Sequence, residues 1–185
     1  ALPICAYYDY DNNSSLSLDE IRDNALQWYD IANENFVLVE LESIMHYAEL
    51  LMDAGRADEA VSILEDETEW EPEDIELRLQ LIDAYIATGK NSGAFSELDR
   101  LIEMTPSNED AREFYHRAFE LALKIQDQQA LNRYLAAFEK KYPNDWLAGL
   151  VRHRVAVQTG NYMAAQTIAD GLMKQFPLNT ELLEG

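Results

Sequence analysis

Gly55-Arg56-Ala57-Asp58-Glu59-Ala60, followed by Pro72, decides the fold, because the spacing of its glycine, alanine and proline recurs in four near-copies. The same marks return as Gly89, Ala94 and Pro106, as Ile125, Ala130 and Pro143, and as Gly160, Ala165 and Pro177. The four alanines stand 34, 36 and 35 residues apart. A helix–turn–helix unit of that length cannot bury its apolar face alone and must stack on its neighbours. The period therefore predicts an all-α solenoid of helical hairpins.

Each mark has a physical task. From Glu42 to Ala54 the apolar residues Ile44, Met45, Tyr47, Ala48, Leu51 and Met52 recur at spacings of three and four, a helix period. Gly55 ends that helix, since glycine takes the left-handed conformation without a Cβ penalty. Asp58 and Glu59 suit the positive end of a second helix. Ala60 is small enough to let the two helices approach, with Ile63 and Leu64 on the same stripe. Pro72 cannot continue a helix and turns the chain into the next unit. Leu81, Ile82 and Tyr85 repeat the plan against Ala94, Leu98 and Leu101, and Phe114, Ala118 and Leu121 against Ala130, Tyr134 and Ala137. Two departures stand out. Ile125 replaces glycine at the third bend, with Pro143 one residue late, and Arg152-His153 fall where apolar packing is expected in the helix Trp146–Thr159.

Over about residues 41–177 these units resemble tetratricopeptide repeats. The resemblance implies a right-handed superhelix, with first helices lining a concave groove and second helices forming the convex back. Four units are expected at 41–74, 75–108, 111–144 and 146–179, preceded by an N-terminal segment over 1–38. Carried over unit by unit, the groove positions are Met45, His46, Glu49 and Met52, then Leu79, Gln80, Asp83 and Ile86. The third unit gives Tyr115, His116, Phe119 and Leu123, and the fourth Leu150, Val151, Arg154 and Val157. Such a wall is largely apolar, which suits an extended peptide or an amphipathic helix of a partner protein. The other reading is that these side chains pack on each other, on the N-terminal segment or on a continuing chain.

Residues 9–20 resemble an EF-hand calcium loop. Asp9, Asp11, Asn13 and Ser17 place oxygens at the first, third, fifth and ninth positions, Ser15 would add its carbonyl, and Glu20 stands at the twelfth. Calcium takes six to eight oxygens wound around one point, which explains the spacing. Ser14 departs from the glycine of the sixth position. The same residues also read as turn chemistry and a Ser17/Glu20 capping box for a helix over about Leu18–Asn33. In that helix Ile21, Ala25, Trp28, Tyr29 and Ala32 share a side, and it is expected to cap the stack.

Composition narrows the function classes. The 185 residues carry 14 Lys+Arg against 35 Asp+Glu, a formal net charge of −21. That field repels phosphate backbones and anionic membranes and favours basic partners or cations. The one cysteine, Cys5, forms no internal disulfide and has no cationic neighbour to activate it. A reducing compartment fits, and a periplasm or extracellular space stays open. The absence of an initial Met, and a tail that reads like the first turn of another helix, suggest a piece of something longer. His46 and His116 occupy equivalent positions two units apart, too far for a shared metal. The run Glu65–Glu76 holds eight acids, read as a solvated turn or as a ridge for a basic partner. Arg152-His153-Arg154 would hold a partner's carboxylate or pair with acids of an adjacent helix. No glycine-rich phosphate loop, nucleophile elbow or Cys/His metal spacing occurs. The expectation is a non-enzymatic protein-interaction scaffold, with a docking segment of a larger enzyme or assembly machine, or a calcium-responsive adaptor, as alternatives.

Overall fold

The computed structural model describes residues 17–35, 40–105 and 108–177, which form helices and connecting turns with no strands. In chain order they are α1 (Leu18–Glu34), α2 (Leu41–Asp53), α3 (Ala57–Trp70), α4 (Ile75–Ala87), α5 (Asn91–Met104), α6 (Asn108–Lys124), α7 (Gln128–Lys141), α8 (Trp146–Gln158) and α9 (Tyr162–Gln175). The chain divides into two compact units, 1–97 and 98–185, with the boundary inside α5.

Four bends of the same construction join α2 to α3, α4 to α5, α6 to α7 and α8 to α9. In each, an amide five residues past the last full turn closes back on a helix carbonyl. Arg56 N–H donates to Leu51, Lys90 to Tyr85, Asp127 to Ala122 and Asn161 to Ala156, at 2.8 to 2.9 Å. This closure requires one left-handed residue just past the helix. Gly55, Gly89 and Gly160 take that conformation with φ of 72 to 76°. In the third bend it is Gln126, at φ 59°, and not Ile125.

That one-residue difference corrects the sequence register. Counted from Gln126, Pro143 is not late, because every proline stands seventeen residues past its bend residue: Gly55 to Pro72, Gly89 to Pro106, Gln126 to Pro143 and Gly160 to Pro177. The residue five past the bend is then Ala60, Ala94, Leu131 and Ala165, each buried. Left-handed glutamine costs about 1 kcal/mol, which the closed bend and its helix contacts outweigh.

The first unit centres on Tyr29 of α1, Tyr47, Ala48 and Leu51 of α2, Ala60, Val61 and Leu64 of α3, and Leu77, Leu81 and Ala84 of α4. Each large aliphatic group contributes about 1.5–3 kcal/mol by leaving water. The helix α1 begins with the predicted capping box. Glu20 N–H donates to Ser17 Oγ, and Ser17 N–H donates to Glu20 Oε2 at 2.8 Å. Asp30 holds α1 down by accepting from the Tyr47 hydroxyl at 2.6 Å and from Arg56 at 2.9 Å. Tyr29 stacks on Tyr47, whereas Trp28, expected on the packed side, is half exposed together with Ile31.

One core element of this unit is charged. Arg78, in the first turn of α4, is 2% exposed. Its Nε donates to the Pro72 carbonyl at 3.0 Å, and its Nη1 donates to Glu97 on α5. The buried guanidinium thereby ties the inter-repeat turn to the next second helix.

The second unit is built around aromatic rings. Tyr115 and Phe119 of α6 meet Phe138 of α7 edge-on at centroid distances of 5.4 and 5.5 Å, and Tyr142 lies 4.8 Å from Phe138. Asp145 caps α8 by accepting from Leu147 N–H and also receives Arg112 at 2.6 Å. The Arg112 guanidinium lies over the Trp146 ring at 5.1 Å.

Candidate functional site

A helix with 3.6 residues per turn presents one stripe at spacings of three and four. The bend residue fixes which stripe each first helix turns outward. In α2 it carries Met45, His46, Glu49 and Met52, and in α4 Leu79, Gln80, Asp83 and Ile86. All eight are exposed or partly exposed, as the sequence places them.

In α6 the expected positions Tyr115 and Phe119 fall one residue short of the outward stripe, while His116 lies on it and Leu123, in register, is buried. Tyr115, Phe119 and Leu123 are 6%, 0% and 5% exposed, because Tyr115 and Phe119 belong to the aromatic core. With the bend at Gln126, the outward positions are His116, Arg117 and Glu120. In α8, Leu150, Arg154 and Val157 reach the surface, while Val151 is 1% exposed and is core.

The outward stripes are more polar than the sequence reading, and their polar groups are paired in a repeating way. In the first unit the His46 imidazole lies 3.6 Å from Glu49, which also accepts from Gln80 of the next first helix at 3.2 Å. In the second unit His116 lies 3.5 Å from Glu120, which also accepts from Arg154 of the next first helix. Thus each carboxylate has a histidine of its own helix beside it and accepts from a donor on the next first helix. Glu120 escaped the sequence reading only because of the misplaced bend. The Gln80 carbonyl oxygen is buried and makes no hydrogen bond among the described residues.

The tetratricopeptide repeat family model matches residues 51–117. Over those residues the hairpins are tetratricopeptide repeats. No curated protein matches the chain. The same bend, helix offset and proline spacing carry the tetratricopeptide plan on through α7, α8 and α9. This is a family of protein-interaction repeats. No helix among the described residues is long and apolar enough to cross a membrane.

Charge divides unevenly between the two units. Residues 1–97 hold 4 Lys+Arg and 23 Asp+Glu, a balance of 4 − 23 = −19. Residues 98–185 hold 10 and 12, a balance of 10 − 12 = −2. Within the first unit the run Glu65–Glu76 surrounds the turn at Pro72, beside Trp70, which is 81% exposed. Among the described residues none of its eight acids forms an ion pair, although Glu65 accepts from the Tyr85 hydroxyl at 2.6 Å. Burial first, and then the Glu71 charge, raise the Glu67 pKa.

The basic trio does not stand free. Arg152 reaches Glu139 of α7 at 2.6 Å and Arg154 reaches Glu120 of α6, so both pair with acids of adjacent helices. Of the calcium-loop residues, Asp9, Asp11, Asn13 and Ser15 lie outside the described residues. Ser17 and Glu20 are engaged with each other in the α1 cap. The Ser17 hydrogen bonds lower the Glu20 pKa. Among the described residues no three His, Cys, Asp or Glu converge as metal ligands.

Proposed function

We propose that the outward stripes of the first helices bind a segment of a partner protein. The observation that supports this most is on those stripes: Glu49 and Glu120 each accept from a donor on the next first helix and each lie beside a histidine of their own helix. Held carboxylates lose less side-chain freedom on binding than free ones, so recognition by them is preorganised. Around them Met45, Met52, Leu79 and Ile86 supply adaptable apolar surface in the first unit. The charge of that unit selects a basic segment, through both the local acids and the long-range field.

The test is affinity capture with the intact chain, comparing Glu49→Lys plus Asp83→Lys with the parent. The stripe reading expects the captured set to be lost. It also expects Glu69→Lys, on α3, to leave that set in place. An unchanged set with the stripe variant, its helix content intact, overturns the reading.

A further inference from the structure

Of the two residues that break the sequence pattern on α8, Arg152 lines a cavity. Eight residues before the bend stand Tyr47, Leu81 and Ala118, at 2%, 1% and 0% exposure, and in α8 that residue is Arg152, whose side chain is 56% exposed. Seven before stand Ala48, Ile82 and Phe119, none above 1% exposed, and in α8 that residue is His153. A guanidinium does not enter an apolar contact without a partner, because desolvating it costs several kcal/mol. Arg152 instead turns out to Glu139.

What it leaves is an open cleft of about 250 Å³ between α7 and α8, with Leu131, Leu135 and Val155 as its floor and Asn132, Glu139 and Arg152 on its rim. In the first unit the equivalent contact is closed, with Ala60, Val61, Leu64 and Leu81 at most 1% exposed. On α8, Arg152 and Val155 lie on the opposite side from Leu150, Arg154 and Val157, by the helix period. The cleft is therefore separate from the stripe discussed above.

A helix that gives up a close-packed contact for a charged one sacrifices stability, and such breaks in local consistency mark function. We propose that this cleft docks a partner-protein segment in which a bulky apolar side chain is followed by a carboxylate. The floor accepts the apolar group. Its volume suits one large side chain and not a cofactor-sized ligand, whose pockets begin at about 300 Å³. The carboxylate is chosen by the rim, where Arg152 offers a fork of five N–H donors, one of which lies at Glu139. The near-neutral balance of this unit permits an acidic approach that the first unit repels.

The experiment titrates the isotope-labelled full chain with capped tetrapeptides centred on Leu-Asp, Ala-Asp and Leu-Lys, read by amide shifts. Shifts are expected at 128–139 and 152–155 with Leu-Asp, and at least several-fold weaker binding with each of the others. Arg152→Leu restores the residue type of Leu81, so it closes the cleft, abolishes the shifts and raises Tm by roughly 2–4 °C. Asn132→Leu narrows the cleft from its rim on α7 without touching the ion pair and abolishes them too. The proposal is overturned if no peptide shifts these amides or if Leu-Lys binds as well as Leu-Asp. It also fails if Arg152→Leu lowers Tm, or if dilution of the protein alone moves the same signals, which places a second copy in the cleft.

Discussion

Residues 1–97 carry 4 basic and 23 acidic side chains, whereas residues 98–185 carry 10 and 12, on hairpins of one construction. The difference governs what charge does in each. In the first unit bases are scarce, and one of them is buried. Arg78 is buried against Glu97 and the Pro72 carbonyl, and Arg56 clamps Asp30 and Glu59. Among the described residues the eight acids of the run Glu65–Glu76 form no ion pair, and together they create a field. In the second unit bases bridge helices at the surface, through Arg112–Asp145, Arg133–Asp99, Arg152–Glu139 and Arg154–Glu120. One repeat plan thus supports two surfaces, one dominated by unbalanced acids and the other by local ion pairs.

The largest expected effect tests buried against exposed pairing. Glu97→Ala strands the Arg78 charge in the core and should cost about 3 kcal/mol, the lower end for breaking a buried pair. Glu139→Ala, which removes an exposed pair, should cost less than about 1 kcal/mol. Chemical denaturation of both variants measures the contrast, and equal losses would mean that the two pairs do the same work.

The bends give a smaller effect with opposite signs in the two units. At Gly89, a Cβ meets nothing within 4 Å, so Gly89→Ala is opposed only by its φ of 73° and should lose about 1 kcal/mol. Gln126→Gly relieves the same conformation, at φ 59°, and should gain up to about 1 kcal/mol, less the entropy that glycine adds to the unfolded chain. If denaturation shows Gln126→Gly to be destabilising, side-chain contacts of Gln126 outweigh its backbone strain.

The smallest effect is the pH response of the acidic unit. Glu67 is raised, so it binds its proton more tightly folded than unfolded. Its contribution to stability grows as pH falls through its folded pKa and is complete below the unfolded one. Asp30 is lowered: burial pushes it up, but hydrogen bonds from Arg56 and Tyr47 prevail. Glu59 is lowered by its Arg56 hydrogen bonds, against burial. For these two the contribution is complete above the ordinary carboxylate value and is lost as pH falls through the folded one. Tm should therefore rise slightly on acidification from neutral and then fall below about pH 4. A steady fall from pH 7 onward would show that repulsion in this unit is negligible.

Most of the architecture was legible because glycine and proline act through the backbone alone. Gly55, Gly89 and Gly160 mark their bends regardless of surroundings. The third bend was misread because glutamine at Gln126 carries no such signature. The constant distance from bend to proline would have corrected it, and with it the replacement of Tyr115 and Phe119 by Arg117 and Glu120 on the outward stripe. The anomaly at Arg152-His153 was visible as a pattern break. Its result was not, because a cleft depends on where the arginine goes, and Glu139 lies on another helix. Arg78 was equally silent, since a charged residue in a first turn reads as solvated until Pro72 and Glu97 are seen to enclose it.

Each bend spans only three residues between its helices. Partners in a hairpin therefore meet after closing a very small loop, at little entropic cost. Topologies dominated by such near-neighbour encounters acquire structure quickly and from several starting points. Refolding should then begin within individual hairpins on a sub-second scale, before Arg78 closes on the Pro72 carbonyl and ties its hairpin to the turn that precedes it.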